Sequence, residues 1–229
     1  MSEYLLSTSG LTKQFGHHKA VNNVDLHVKK GAIYGFIGRN GAGKTTFLKM
    51  ISGLSKPTDG EIQMFGYRNE ELKNVRSRIS CLIEAPGIYG NMSAYHNLAI
   101  KCRLFGINDS KYIENILKIV GLSEVGKKKT KHFSLGMKQR LGIGLALVGE
   151  PDLLVLDEPI NGLDPQGIAE IRDMLLRLKE EQNMTIIISS HILEELSKIA
   201  THYGIIHNGS LIQELTREEI GRASCRERV

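Results

Sequence analysis

The stretch that decides the fold spans residues 38–45 and reads Gly38-Arg39-Asn40-Gly41-Ala42-Gly43-Lys44-Thr45. It matches the phosphate-binding loop pattern G-x-x-x-x-G-K-[ST] at every fixed position. The apolar run before it, residues 32–37, predicts a buried strand, and residues 45–51 after it predict a helix. A glycine-rich turn that only caps a helix is the alternative, but the strand–loop–helix order favours a phosphate site.

The residue types in this loop follow from the chemistry of phosphate binding. Glycines let backbone N–H groups turn inward around phosphate oxygens, and the N-terminus of the following helix adds positive potential. We expect Lys44 to reach the β- and γ-phosphates of a nucleotide and the Thr45 hydroxyl to ligate Mg²⁺. The adjoining Thr46 completes the expected site.

The composition is that of a globular protein, with 229 residues of which 41% are hydrophobic and 24% charged. This is enough chain for one domain with a sizeable core. No apolar run approaches the roughly 18 residues of a membrane span, and the polar N-terminus lacks a secretory signal. Cys81, Cys102 and Cys225 have neither metal-like nor disulfide-like spacing, so we expect a reduced, intracellular protein.

The net charge is +5, and the densest basic run is Lys127-Lys128-Lys129-Thr130-Lys131. Such a run is typical of a solvated loop. A nucleic-acid patch is the alternative, although no aromatic residues interleave with the lysines. Residues 221–229 cluster arginines and lose the apolar periodicity, so we interpret them as a non-native tail.

Hydrophobic periodicity predicts short strands within residues 1–30 and over residues 61–64, 79–83, 153–156 and 185–189. Helical periodicity, with Ser93 and Ser134 as N-caps, predicts helices over residues 93–106, 111–120, 134–149, 165–181 and 192–200. Asn208-Gly209 predicts a hairpin near the end. Strands that alternate with helices imply a parallel sheet covered on both faces, into which the helical middle is inserted.

Two acidic residues directly follow the apolar run of residues 153–156. Ligands of a parallel sheet bind at the edge where the strands end, so a buried strand would deliver Asp157 and Glu158 to the site. We expect Asp157 to hold Mg²⁺, directly or through water, and Glu158 to orient and deprotonate the attacking water. Alone, this pattern is typical of a plain strand end, but with the phosphate loop it predicts a magnesium-dependent phosphate site.

The segment Phe133-Ser134-Leu135-Gly136-Met137-Lys138-Gln139-Arg140 is by itself an N-capped amphipathic helix. At this position, however, the chain over residues 4–215 resembles the ATP-binding subunit of ABC transporters. In that family the segment is the signature motif, and Ser134 and Gly136 match its serine and second glycine, which contact the γ-phosphate. Leu135 and Met137 depart from the usual glycine and glutamine but leave the serine hydroxyl and the helix N-terminus intact.

The resemblance implies roles for four further residues. Phe15 corresponds to the aromatic residue that stacks on the adenine of ATP, with a core position as the alternative. Asp164 lies in the loop that crosses the dimer interface, where a plain turn is the alternative, and His191 corresponds to the switch histidine at the γ-phosphate rather than to a structural histidine. Glu84 replaces a glutamine that contacts Mg²⁺ and the membrane subunit, and it adds a negative charge.

The resemblance also implies the fold and the domain plan. It predicts a P-loop NTPase (RecA-like) α/β core with an N-terminal antiparallel β subdomain and an inserted α-helical subdomain. Residues 1–220 would form a single ABC ATPase domain. Residues 1–84 and 150–220 would make the α/β core with the β subdomain, and residues 85–149 the helical subdomain.

The function implied is that of an ATPase subunit at the cytoplasmic face of a bacterial membrane. Two cassettes, identical or paralogous, would dimerise head to tail around two MgATP and drive integral membrane permease subunits. Residues 84–86, with the signature segment, resemble the subfamily that protects bacteria from lantibiotics and bacitracin-type peptides. The alternatives are a transporter for another substrate and a soluble ABC ATPase acting on nucleic acid or ribosomes. That soluble class carries tandem cassettes or coiled-coil insertions, so we expect no nucleic-acid partner.

Overall fold

The computed structural model describes residues 3–220, which fold around two β-sheets. The strands of this range are β1 (Tyr4–Phe15), β2 (His18–Lys29), β3 (Ile33–Ile37), β4 (Asp59–Met64), β5 (Tyr67–Arg68), β6 (Ile79–Leu82), β7 (Leu153–Asp157), β8 (Thr185–Ser190), β9 (His202–His207) and β10 (Ser210–Thr216). Its α-helices are α1 (Lys44–Ile51), α2 (Ala94–Leu104), α3 (Ser110–Ile119), α4 (Leu135–Leu147), α5 (Pro165–Gln182) and α6 (Leu193–Ser197). The predicted tail at residues 221–229 lies outside the described residues.

The two sheets differ in strand direction. The larger sheet has the order β10-β9-β3-β8-β7-β6 and is parallel from β9 to β6, with an antiparallel β10 at its edge. The smaller sheet is antiparallel and has the order β2-β1-β4-β5. This arrangement confirms the predicted α/β fold with its antiparallel β portion.

The central strands are apolar on both faces because a hydrophobic core covers each face of the larger sheet. On β7, Leu154 and Leu156 pack into a core with helices α2 to α5, whereas Leu153 and Val155 pack into a second core with α1 and the smaller sheet. Successive side chains of a strand point to opposite faces. An unbroken apolar run is therefore what a parallel strand covered on both faces requires.

Helices α2, α3 and α4 are inserted between β6 and β7, and each begins at a polar side chain. The N-caps are Ser93, Asp109 and Ser134, whose side-chain oxygens accept backbone N–H groups of the first helical turn. The prediction of Ser93 and Ser134 as N-caps is confirmed. Among the helices of residues 3–220, none combines the length and the apolar character that crossing a membrane demands.

Several local predictions differ from the structure. The N-terminal region forms two strands of 12 residues, β1 and β2, rather than short strands. Irregular register, for example between Thr8 and Leu11, lets these strands bend while they stay paired. The helix predicted over residues 192–200 shortens to α6. A 3₁₀ segment, Asn69–Arg78, was not predicted because it is strongly polar and buries only two side chains.

A polar network ties the edge strand β10 to β2 and β3. The Tyr34 hydroxyl donates to Oε1 of Glu214 over 2.6 Å, and the same carboxylate accepts the His27 backbone N–H at 3.0 Å. Burial, together with the negative charge of Glu214, raises the pKa of Tyr34 far above its usual range. The hydroxyl therefore keeps its proton and remains a donor to Glu214.

We expect Glu214→Ala to lower the free energy of unfolding by about 1–3 kcal/mol, because the buried Tyr34 hydroxyl loses its acceptor. Adding Tyr34→Phe should recover part of that loss, since a buried phenyl ring needs no hydrogen-bond partner. Urea denaturation followed by circular dichroism measures both variants. A double variant less stable than Glu214→Ala would contradict this account.

Candidate active site

The phosphate-binding loop runs from the end of β3 to the start of α1. Its glycines have backbone angles or close neighbours that disfavour any residue with a side chain. Gly41 and Gly43 have φ angles of +80° and +105°. A Cβ atom on Gly43 would lie 2.3 Å from the carbonyl oxygen of Ala20, and one on Gly38 would lie 2.6 Å from that of Ile206. The loop backbone is therefore packed directly against β2 and β9, which fixes the cradle of N–H groups.

Lys44 begins α1 and is buried, with 6% of its side chain exposed. Its ammonium group donates to the carbonyl oxygens of Gly38 (2.6 Å) and Arg39 (3.2 Å). It also lies 3.0 Å from Oε1 of Glu158. A buried charge without partners is costly, so this one ammonium group holds together the loop, the helix start and the end of β7.

Asp157, the last residue of β7, lies between two hydroxyl groups. Thr45 Oγ1 donates to its Oδ2 over 2.7 Å, and Ser189 Oγ donates to its Oδ1 over 2.6 Å. The carboxylate is buried, so both of its oxygens are held in place. Thr45 and Asp157 thus present neighbouring oxygen atoms, the hard donors that Mg²⁺ prefers, and the two residues fit the predicted metal site.

Glu158 follows β7 in a left-handed backbone conformation, with a φ of +48°, which is rare outside glycine and clusters at functional sites. Its Oε2 lies 2.9 Å from Nδ1 of His191, and its backbone N–H donates to Ser189 Oγ over 2.9 Å. Its Oε1 is buried and, within residues 3–220, contacts Lys44 as an ion pair without accepting an aligned hydrogen bond. Lys44 thus contacts one oxygen of this carboxylate and His191 the other, which orients Glu158 beside the phosphate loop.

Phe15 lies at the far end of β1 and is 55% exposed, so the alternative of a core phenylalanine is wrong. The ammonium nitrogen of Lys13 lies 5.2 Å from the centroid of its ring. An exposed aromatic face is what stacking on a nucleotide base needs.

Ser134 and Asp164 act as helix N-caps within the single chain. Ser134 Oγ accepts the Met137 N–H over 3.2 Å, and Asp164 Oδ1 accepts the Gly167 N–H over 3.1 Å. In the part of the chain that the structure describes, neither side chain forms a hydrogen bond with residues 38–46. The single chain thus joins the residues around Lys44 into one network but leaves these two outside it.

The signature segment nevertheless lies beside the loop that contains Asp164. A Cβ atom on Gly162 would lie 3.3 Å from the side chain of Leu135, and one on Gly136 would lie 3.7 Å from that of Leu163. Leu135, which is 53% exposed, therefore lies beside residue 162 of the same chain. Leu135, where the resemblance leads one to expect glycine, places an apolar side chain beside this loop.

Glu84 lies at the same edge of the sheet but outside the network around Asp157. Leu82 of β6 pairs with Leu156 of β7, so Glu84 is one residue beyond the position level with Asp157, the end of β7. It has a φ of +64°, and its Oε1 accepts a hydrogen bond from Lys49 Nζ of α1 over 2.5 Å. The predicted role of Glu84 at the metal remains a proposal.

Comparisons with known proteins agree with this geometry. A family model for the ABC transporter matches residues 21–161. The bacitracin transport ATP-binding protein BcrA of Bacillus licheniformis is 49% identical over 214 residues, which cover 92% of this chain and 69% of BcrA. The lantibiotic transport ATP-binding protein SrtF of Streptococcus pyogenes is 43% identical over 210 residues, which cover 92% of this chain and 90% of SrtF.

Solved structures give the same result. The protein cbiO1 from Clostridium perfringens, part of the ABC transporter complex cbiONQ, superimposes with a TM-score of 0.87 at 26% identity. The match covers 97% of this chain and 92% of cbiO1. Fold and loop geometry together define an ATP-binding P-loop ATPase. The chain belongs to the ABC transporter family, which confirms the prediction of a transporter ATPase.

Sequence reasoning missed one residue of the network, Ser189. Its hydroxyl bridges Asp157 Oδ1 and the backbone N–H of Glu158. The signal was present, since β8 is an isoleucine-rich buried strand that ends in two serines at the edge where ligands bind. Polar side chains at that point of a buried strand indicate a site.

We expect Ser189→Ala to lower ATP hydrolysis about 10- to 100-fold, because Asp157 loses the donor that orients it. Ser190→Ala is the matched control: it also removes a buried hydroxyl from the end of β8, but that hydroxyl accepts the Ile192 N–H instead. Phosphate release at saturating ATP and Mg²⁺ measures both. Equal rates in the two variants would show that Ser189 does not support Asp157.

Proposed function

We propose that this chain is the ATP-binding and hydrolysing subunit of a transporter that exports antimicrobial peptides of the bacitracin or lantibiotic type, or protects the cell against them. The names of BcrA and SrtF, at 49% and 43% identity over most of the chain, support the peptide class. The observation that carries the catalytic part is the contact of Glu158 with both Lys44 and His191. In this proposal residues 1–220 form one ATPase domain, with residues 85–149 as its helical subdomain.

ATP binds along the phosphate loop, with its adenine on the exposed face of Phe15. The N–H groups of residues 38–46 surround the phosphates, and Lys44 exchanges its contacts with loop carbonyls for β- and γ-phosphate oxygens. Thr45 and Asp157 hold Mg²⁺, with Glu84 as a further candidate ligand. When bound, this ion neutralises negative charge on the phosphates.

Glu158 is the general base of hydrolysis. A water molecule gives a proton to its carboxylate while the water oxygen bonds to the γ-phosphorus. The bond from that phosphorus to the bridging oxygen breaks, which leaves ADP and phosphate. His191 holds Oε2 of Glu158 and also contacts the γ-phosphate. Proton transfer to a positioned base contributes about 10²- to 10⁴-fold to the rate.

A second cassette, identical or paralogous, completes each site. Ser134 and Gly136 of one copy approach the γ-phosphate bound by the other, and Asp164 lies at the interface. The exposure of Ser134 at the N-terminus of α4 supports this arrangement, since helix N-termini attract phosphate. Asp164 is also exposed and so accessible to a second copy.

The permease subunits dock beside the Glu84 loop, which places the chain at the cytoplasmic face of the membrane. A cavity of about 300 Å³ opens there between β6, α2 and α4. Pro86, Gly87 and Tyr89 form part of its lining, so a movement of the Glu84 loop reaches any helix seated in it. The relation to cbiO1, part of a transporter complex, supports a membrane partner.

The catalytic part is tested with Glu158→Gln. We expect hydrolysis to fall about 10²- to 10⁴-fold while ATP binding is retained, because glutamine keeps the shape of the side chain but cannot accept the proton as a carboxylate does.

Specific activity of the wild type should rise with protein concentration, since each site needs two copies. Full specific activity in a dilute monomer would contradict the shared site.

The transport part is tested in cells that express the chain with its candidate permease subunits. We expect these cells to survive higher concentrations of bacitracin or a lantibiotic, and the Glu158→Gln variant to lose this protection. Wild-type hydrolysis without any protection against either peptide would leave the ATPase standing and overturn the peptide assignment.

A further inference from the structure

An ion pair joins Glu84, the further candidate ligand of the metal, to Lys49, which the mechanism above does not use. Lys49 Nζ lies 2.5 Å from Oε1 of Glu84 and donates to it. The pair joins α1 to the loop after β6, across 35 positions of the chain. Its side chains are 37% and 66% exposed, so solvent screens the attraction. Exposed pairs of this kind contribute little to stability. An effect of this pair is therefore expected from its charges rather than from stabilisation of the fold.

The position of Lys49 relates this charge to the metal residues. Lys49 lies four residues after Thr45, hence on the same face of α1 and about 6 Å further along its axis. Helical side chains lean toward the N-terminus of their helix, so Lys49 leans toward Thr45. The hydroxyl of Thr45 in turn donates to Asp157. The Lys49–Glu84 pair is therefore anchored one helical turn after Thr45, one of the two residues that fit Mg²⁺.

We propose that Lys49 is a positioning residue that balances the charge of Glu84 toward the metal–nucleotide site. The proposal rests on the function proposed above. While the two side chains are paired, their charges cancel, and the site is neither more negative nor more positive than Thr45 and Asp157 make it. Lys49 also holds the Glu84 carboxylate at α1.

Charge balance predicts opposite effects for the two single substitutions. Lys49→Met leaves Glu84 unpaired, and the extra negative charge favours nucleotide with Mg²⁺ over nucleotide without it. Glu84→Gln leaves Lys49 unpaired, and the extra positive charge favours the metal-free nucleotide, which is more negative. The double variant removes both charges and restores the balance. A pair that only braced the fold would affect both forms of the nucleotide alike.

The test is the affinity for a fluorescent, non-hydrolysable ATP analogue, measured once with Mg²⁺ and once with a chelator. The quantity compared is the ratio of the two affinities. We expect the ratio to rise about two- to fivefold in Lys49→Met, to fall by a similar factor in Glu84→Gln and to return near the wild-type value in the double variant, as the modest strength of exposed charge pairs allows. Lys49→Arg, which keeps the charge, should leave the ratio unchanged.

A matched control pair lies elsewhere in the chain. Lys29 Nζ is 2.8 Å from Oε1 of Glu3, with side chains 45% and 64% exposed, so the geometry and exposure are similar. This pair lies beside the start of β1, and Phe15 lies at the other end of this 12-residue strand. Lys29→Met and Glu3→Gln should change neither the affinity with Mg²⁺ nor the affinity with chelator. These two variants test whether loss of any surface ion pair alters the ratio.

The outcomes separate this proposal from the one on which it rests. If the wild type binds the analogue no better with Mg²⁺ than with chelator, the proposed metal site fails and the role of Lys49 fails with it. If the wild type depends on Mg²⁺ but the two single variants shift the ratio in the same direction, or not at all, only the role of Lys49 is overturned. Opposite shifts that cancel in the double variant support it.

Discussion

The parallel pairing of β3, β8 and β7 is the constraint on which the candidate site depends. Ile37 pairs with Ser190, and Asp157 pairs with Ser189, so the phosphate loop and both acidic residues begin at one level of the sheet. A slip of one residue would turn the serine hydroxyl to the other face. Because β7 and β8 are apolar on both faces, the hydrophobic pattern does not select this register by itself. The hydrogen bond from Ser189 to Asp157 joins two residues that are partners in this register, so it adds to the stability of this alignment.

The charged side chains of the site are held by partners that a bound nucleotide can replace, and they are not left exposed to solvent. Lys44 is buried among two loop carbonyls and the Glu158 carboxylate, and phosphate oxygens can replace the carbonyls without leaving the ammonium group bare. A buried charge that lost its partners with no replacement would cost several kcal/mol. The same logic applies to Glu158, whose Oε2 is held by His191 while Oε1 accepts no aligned hydrogen bond within residues 3–220. His191 and Lys44 therefore orient the two oxygens of this carboxylate.

The sequence predicted those parts of the site whose residues are neighbours in the chain. The loop of residues 38–45 and the pair Asp157 and Glu158 are contiguous in the sequence, so their spacing can be recognised there. The alternation of strands and helices predicted the sheet. Ser189 and the partner of Glu84 depend on strand register and on which helix covers which edge, and those are set by packing between segments more than 30 residues apart. The long β1 and β2 were missed for a related reason, because the irregular register that keeps them paired has no period in the sequence.

One chain brings some of the site residues together and leaves others exposed at its surface. This difference is the physical argument for the proposed dimer. Lys44, Asp157, Glu158 and His191 form a connected network within the chain. Ser134 and Asp164 instead cap the starts of α4 and α5 at the surface, and Leu135 lies beside residue 162 between these two helix starts. Helix N-termini carry partial positive charge, and anions stabilise them. A second nucleotide-bearing chain supplies such an anion for the start of α4, so the segment around Ser134, which one chain leaves unused, is one that a second copy can use.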